Sequence, residues 1–253
     1  MMRAARANIA GVPVDNLTED ETVEAIDRLL AAAGSHYMAV VNASKITVAC
    51  RNPELLRILK AADLVTADGM SVVWASRLLG HPLKARVTGI DLLQRLVRHA
   101  AARGLSVYFL GASEASVSGA VTQFVSLRPA LRVAGYRNGY FASSEAGAVA
   151  EAIKRTGANF LFVAMGSPAQ ELWIYSNLDA TGAQFALGVG GSFDHISGLS
   201  RRAPRWMQQA GLEWLYRLAR EPGRLWRRYL IGNTKFAWLV IRQFLSQTLG
   251  RHE

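Results

Sequence analysis

The stretch Leu105-Ser-Val-Tyr-Phe-Leu-Gly-Ala-Ser113 decides the fold. A short apolar run ends in glycine and gives way to a helical pattern that continues to Leu127. The same unit recurs downstream. Leu131–Tyr136 reads as a strand, Gly139-Tyr-Phe-Ala-Ser143 as a loop, and a helix follows to Arg155. Asn159–Ala164 is a strand, Gly166-Ser-Pro168 a turn, and the next helix runs to Leu178; Gln184–Val189 is a strand closed by Gly190-Gly191. Strands that are apolar throughout belong to sheets covered on both faces. The alternation therefore predicts an α/β fold with a largely parallel, doubly wound sheet and helices on both faces.

Upstream the units are shorter. Thr18-Glu-Asp-Glu21 has capping-box spacing and opens a helix with Val23, Ile26, Leu29 and Leu30 on one face, closed by Gly34. Tyr37–Val41 is a strand, Asn42 leads a helical stretch to Cys50, and Pro53 begins another helix. Leu64–Thr66 is a strand running into Ala67-Asp-Gly69; Met70–Leu79 and Gly89–Arg103 are helices, the second capped by Gly104.

The chain has 253 residues, of which 51% are hydrophobic and 19% charged, which excludes wholesale disorder. A lone Cys50 excludes a disulfide framework and any multi-cysteine metal site. The net charge of +10 calls for an acidic partner, and it is unevenly placed. Residues 1–200 carry 18 basic and 16 acidic side chains, whereas residues 201–253 carry 11 and 3, together with four of the six tryptophans. The expected organisation is an α/β body over 1–200 and a basic, Trp-rich helical appendage over 201–253. The appendage reads either as a surface for phosphate or membrane, or as a helical face whose tryptophans pack on the body. After Arg3 and Arg6 no apolar run follows, since Pro13, Asp15 and Asn16 interrupt it, and Phe236–Leu249 is too short and polar to span a bilayer. A cytoplasmic protein is expected.

Three strands end in glycine before a turn or helix, at Gly111, Gly166 and Gly190. Ligands of open α/β sheets bind at the carboxyl ends of the strands, where glycine allows close approach of the backbone. A nucleotide or nucleotide-sugar site is expected there. Neither the dinucleotide fingerprint nor the phosphate-binding P-loop occurs, which disfavours nicotinamide oxidoreductases and ATPases. Asp68 reads as a general base facing the ligand crevice or, equally, as the cap of the next helix. Asp194 is a second candidate, with a plain role in the turn at Ser197-Gly198. Glu171 complements a helix dipole without any function, so Gln170 is the better ligand candidate. With no Asp-x-Asp motif and scattered histidines, no metal or other cofactor is expected; His195 reads as a loop residue. No Gly-x-Ser-x-Gly elbow supports a serine hydrolase.

In the appendage Arg217, Arg220, Arg224, Arg227 and Arg228 crowd around Glu221-Pro222 and suit diphosphate oxygens. As a helix, Lys235–Thr248 puts Ala237, Trp238, Val240, Ile241, Phe244 and Leu245 on one side, with Phe236 and Leu239 blurring the polar face. Such a helix lies in a bilayer interface or docks on the body or on a neighbour. No nucleic-acid module motif occurs, and nucleic acid is not an expected partner.

Several blocks together resemble a known family: Gly11-Val-Pro-Val-Asp-Asn-Leu17, Ala62-Asp-Leu-Val-Thr-Ala-Asp-Gly69, Arg86-Val-Thr-Gly-Ile-Asp91, Met165-Gly-Ser-Pro-Ala-Gln-Glu171, Gly188-Val-Gly-Gly-Ser-Phe-Asp194, and Arg202-Ala-Pro-Arg-Trp206 through Gly211-Leu-Glu-Trp-Leu-Tyr-Arg217. They run in order, from about residue 8 to 235, as in the WecG/TagA/CpsF family of bacterial glycosyltransferases. The resemblance implies a Rossmann-like body with an appendage that completes the site at the membrane. It implies inverting, metal-independent transfer from a UDP-sugar to a polyprenyl-diphosphate-linked saccharide in surface-polysaccharide synthesis. By position, Asp68 resembles the base; Asn42, Arg86 and Gln170 resemble active-site residues; Arg217, Arg224 and Arg227 resemble arginines that meet diphosphate. Gly111, Gly166, Glu171, Gly190 and Asp194 complete the expected substrate-binding set. Val40 departs from the pattern, standing where some members carry a threonine. The expected partners are thus UDP-sugar, lipid-linked acceptor and an anionic membrane surface on the cytoplasmic side, with a second copy of the chain if the appendage serves a neighbour's site. A non-catalytic nucleotide- or anion-binding regulator of a membrane assembly is the alternative, and it gives Asp68 no role.

Overall fold

The computed structural model describes residues 5–220 and 222–249, excepting the side chains of Gln209, Arg224, Leu225, Arg227, Arg228 and Tyr229. Its centre is a six-stranded sheet of β3 (His36–Val41), β4 (Leu64–Ala67), β5 (Ser106–Gly111), β6 (Arg132–Arg137), β7 (Phe160–Ala164) and β8 (Phe185–Gly188), in the order β4-β3-β8-β7-β5-β6. Every pairing in this sheet is parallel, so the Rossmann-like expectation holds and "largely parallel" becomes wholly parallel. The sheet is buried on both faces except at its edge strand β6, whose residues are half-buried or exposed.

Alternate residues serve opposite layers. Met38, Val40, Phe109, Phe160, Phe162 and Leu187 face α1 (Glu19–Leu30), α5 (Gly89–Arg103) and α6 (Glu114–Leu127). Ala39, Val41, Val65 and Ala67 face α2 (Ala43–Ala49), α3 (Pro53–Ala61) and α4 (Met70–Leu78) on the other side. Further along that side, Leu110, Leu161, Val163 and Ala186 meet α7 (Ala146–Lys154) and α8 (Ala169–Thr181). Phenylalanines 124, 162 and 193 pack around Phe109, their ring centroids 5.6–5.8 Å from its own, which adds directional contact to their burial.

Caps follow the sequence at most helix ends. The Thr18–Glu21 capping box is formed, Pro53 sits in the first turn of α3, and Gly104 closes α5 in the left-handed region at φ 64°. Gly34 does not close α1, which already ends at Leu30. The sequence reading missed an antiparallel hairpin, β1 (Arg6–Ile9) and β2 (Val12–Asp15). Its two-residue turn, Ala10-Gly11, has positive φ at both positions, a conformation usually signalled by Asn-Gly rather than alanine. Asp15 joins the hairpin to β4 by accepting from Val65 N at 2.7 Å.

After α9 (Ser192–Ile196), the appendage forms α10 (Arg205–Gln209), α11 (Glu213–Arg220) and α12 (Pro222–Leu249). The helix α12 docks on the body through Phe236 and Val240, both 4% exposed in the cluster containing α2 and the hairpin. Gln243 on the same side bonds Ala10 N at 2.7 Å and Asn8 O at 2.8 Å. This corrects the helical projection: Phe236 belongs to the docked face, while Trp238, Ile241 and Leu245 are exposed. Among the described residues, no helix is long and apolar enough to cross a membrane.

Candidate active site

Asp68 follows β4 directly, its N–H donating to Val41 O at 2.8 Å. The cap of α4 is Gly69, without a side-chain hydrogen bond, so the capping role open to Asp68 in the sequence is not the one it has. Its Oδ1 accepts from Gly89 N at 3.4 Å, and its side chain lines two adjoining cavities.

The first cavity, about 410 Å³, is polar and lies at the carboxyl ends of β3, β4, β7 and β8. Gly166, Ser167, Gly190, Gly191 and Ser192 form one side, with Val40, Asn42, Lys45, Gln170, His195 and Arg217 around it. The turn after β8 is held from three directions. Phe193 is fully buried against Phe109; Asp194 Oδ1 accepts from Ser116 Oγ at 2.5 Å; Gln170 Oε1 accepts from Gly190 N at 2.9 Å. Asn42 caps α2 by accepting from Lys45 N at 3.0 Å while lining both cavities. Burial, and then the Arg217 guanidinium, hold the His195 imidazole below its usual value.

The second cavity, about 540 Å³, is an apolar groove between the body and the appendage. Met70, Trp74, Ala75 and Leu78 of α4 face Trp214, Phe236, Ala237, Val240 and Ile241. Gly211 makes the close approach possible: a Cβ there would lie 2.9 Å from Met70 Cγ, and its φ is +74°. At the polar end, Glu213 accepts from Arg217 Nη2 at 3.0 Å, lies 3.5 Å from Arg202 Nε and 3.9 Å from Arg86 Nη1. Arg202 also forks onto Asp91, with Nη2 to Oδ2 at 2.8 Å. Burial acts to raise the Asp91 carboxyl; Arg202 and Thr88 outweigh it and hold it below the usual carboxylate value.

The expected site residues thus divide. Asp68, Asn42, Gly166, Gln170, Gly190 and Arg217 line the polar pocket, and Arg86 lines the groove beside Asp68. Gly111, Glu171 and Asp194 line neither cavity. Gly111 is explained by packing, since a Cβ would lie 2.6 Å from the Ala164 backbone. Asp194 braces α9 against α6, and Glu171 is paired with Lys45 at 2.6 Å. The side chains of Arg224 and Arg227 lie outside the described residues. Among the described residues, no three His, Cys, Asp or Glu side chains gather to hold a metal ion.

A family profile, that of the glycosyl transferase WecG/TagA/CpsF family, matches residues 7–250. The chain belongs to this family. Two relatives carry the name N-acetylglucosaminyldiphosphoundecaprenol N-acetyl-beta-D-mannosaminyltransferase. One, from Bacillus spizizenii, is 36% identical over 182 residues, covering 72% of this chain and 70% of the relative. The other, from Bacillus subtilis, is 32% identical over 206 residues, covering 81% and 79%. Lys45, Ser167, His195 and Glu213 are wall residues that the sequence reading did not assign to the site, and His195, read there as a loop residue, lies in α9. Lys45 follows Asn42 within one helical turn, the signal that put it in reach; nothing local in the sequence pairs Glu213 with Arg86.

Proposed function

We propose that the chain is an inverting, metal-independent glycosyltransferase that moves a sugar from a UDP-sugar to a polyprenyl-diphosphate-linked saccharide, in bacterial surface-polysaccharide synthesis. One observation carries this reading: among the described residues, Asp68 is the carboxylate that lines both the polar pocket and the apolar groove. A nucleoside diphosphate and its sugar suit the glycine-walled polar pocket. The diphosphate-proximal isoprenoid units of a lipid suit the groove. The relatives' names, with a diphosphoundecaprenol acceptor, support the acceptor class.

In the proposed reaction Asp68 accepts the proton of the acceptor hydroxyl as its oxygen attacks the anomeric carbon of the donor. The bond from that carbon to the UDP oxygen breaks on the opposite face, and UDP leaves with the electron pair. This is the base-assisted single displacement of inverting glycoside chemistry, with a sugar hydroxyl in place of water. Arg217 and Arg86, held by Glu213, supply fixed positive charge near the reacting centre. The exposed Trp206, Trp238, Ile241 and Leu245 and the basic appendage suit a peripheral position on the cytoplasmic face of the membrane.

Labelled UDP-sugars incubated with a polyprenyl-diphosphate saccharide test the reaction, read as labelled lipid and released UDP. Asp68→Asn is expected to lower turnover about 10²–10⁴-fold with nucleotide affinity retained. Turnover near that of the wild type would remove Asp68 as the base.

A further inference from the structure

The polar pocket holds a charge that the reaction as written does not use. Lys45 lines it with a side chain only 7% exposed, and its ammonium donates to Glu171 Oε1 at 2.6 Å. Glu171 is 4% exposed and lies outside the cavity wall. Gln170 Nε2 donates to the same oxygen at 2.8 Å while Gln170 Oε1 holds Gly190 N. One carboxylate therefore links α2, α8 and the turn after β8. Burial acts to raise the Glu171 carboxyl; Lys45 outweighs it and holds it below the usual value.

A buried ion pair is a weak stabiliser, because desolvation offsets its attraction. The position of this one is informative. An ammonium carries three donors. Among the described residues, Glu171 is the one hydrogen-bond partner of Lys45 Nζ, and Lys45 is itself a wall residue of the cavity. The other Lys or Arg among the described wall residues, Arg217, comes from the appendage and is shared with Glu213. Lys45 is thus the fixed cation that the body itself brings to the pocket.

We propose that Lys45 binds the diphosphate of the nucleotide donor, and that Glu171 is the positioning residue that holds its ammonium at the wall. The proposal rests on the donor reading above. The test is calorimetric binding of UDP and of uridine, without acceptor, to wild type, Glu171→Gln and the double variant Lys45→Met/Glu171→Gln. The double variant removes both charges together and keeps an oxygen for Gln170, so it leaves no orphaned buried ion. UDP affinity is expected to fall about 10–100-fold in the double variant, the loss typical of a charged hydrogen bond. Uridine affinity should stay within about twofold of wild type, and Glu171→Gln should keep UDP affinity above that of the double variant. A cation needed only for packing predicts a different pattern: uridine and UDP weaken alike, or Glu171→Gln is the worst of the three. Either result, or unchanged UDP affinity in the double variant, overturns the proposal alone. A wild-type protein that binds no UDP overturns the donor reading and the proposal with it.

Discussion

Glu213 and Gly111 show how single residues set this site. Glu213 gathers Arg86, Arg202 and Arg217, so a residue of the appendage orders two arginines that line the groove and one that fastens the appendage to Asp91. The Asp91 carboxyl is held below its usual value, so its contribution to docking is complete above the ordinary carboxylate range and is lost as pH falls through the lowered value. Arg202→Ala should therefore destabilise the protein toward urea at about pH 7, and the difference from wild type should shrink at about pH 3. Equal differences at both values would remove Asp91 as the partner that matters. Gly111 makes a steric prediction. A Cβ there would overlap Ala164, and its φ is +117°, whereas Gly190 at φ +55° has open space around it. Gly190→Ala should cost about 1–2 kcal/mol, the ordinary left-handed penalty, and Gly111→Ala clearly more, read as unfolding midpoints.

At the scale of elements, α12 has two apolar faces with different duties. Phe236 and Val240 are buried against the body, and Phe236→Ala should cost about 3–5 kcal/mol, the usual loss for a buried ring. Trp238, Ile241 and Leu245 are exposed, at 57%, 51% and 53%. Replacing these three by serine should leave the melting temperature within a few degrees and weaken sedimentation with anionic vesicles at least tenfold. Unchanged vesicle binding would turn attention to Trp74 and Leu78, which are exposed on α4 across the groove. The helix thus lines the groove and also leaves apolar side chains exposed, and a strictly two-sided projection of its sequence cannot represent both.

For the whole molecule, the two sides of the charge division at residue 200 contribute unequally to the two cavities. The polar pocket takes its wall from the body, with Arg217 added from the appendage, while Glu213, Trp214, Asn233, Phe236, Ala237, Val240 and Ile241 of the appendage line the groove. A chain ending at residue 200 should keep UDP affinity within about tenfold, since it loses one charged contact, yet transfer no sugar to a lipid-linked acceptor. Near-UV circular dichroism must accompany the measurement, because the truncation bares the apolar surface under Phe236 and Val240. Transfer at wild-type rate would show that the groove is not where the acceptor lies.

The sequence by itself determined the alternating α/β fold, because buried parallel strands and amphipathic helices leave local periodicities, and caps and glycine turns mark their ends. It also determined the charge division, brought Asp68 and Gln170 into view through their places at strand and helix ends and Arg217 through the arginine cluster, while Asn42 entered only through the family resemblance. Tertiary structure alone decided that Asp68 faces two cavities instead of capping α4, that Gly111 serves packing, and that Phe236 lies on the docked face of α12. It alone joined Lys45 to Glu171 and Glu213 to Arg86, pairs 126 and 127 positions apart in the sequence. Such pairs leave no local signal, because their chemistry depends on which elements the fold brings side by side.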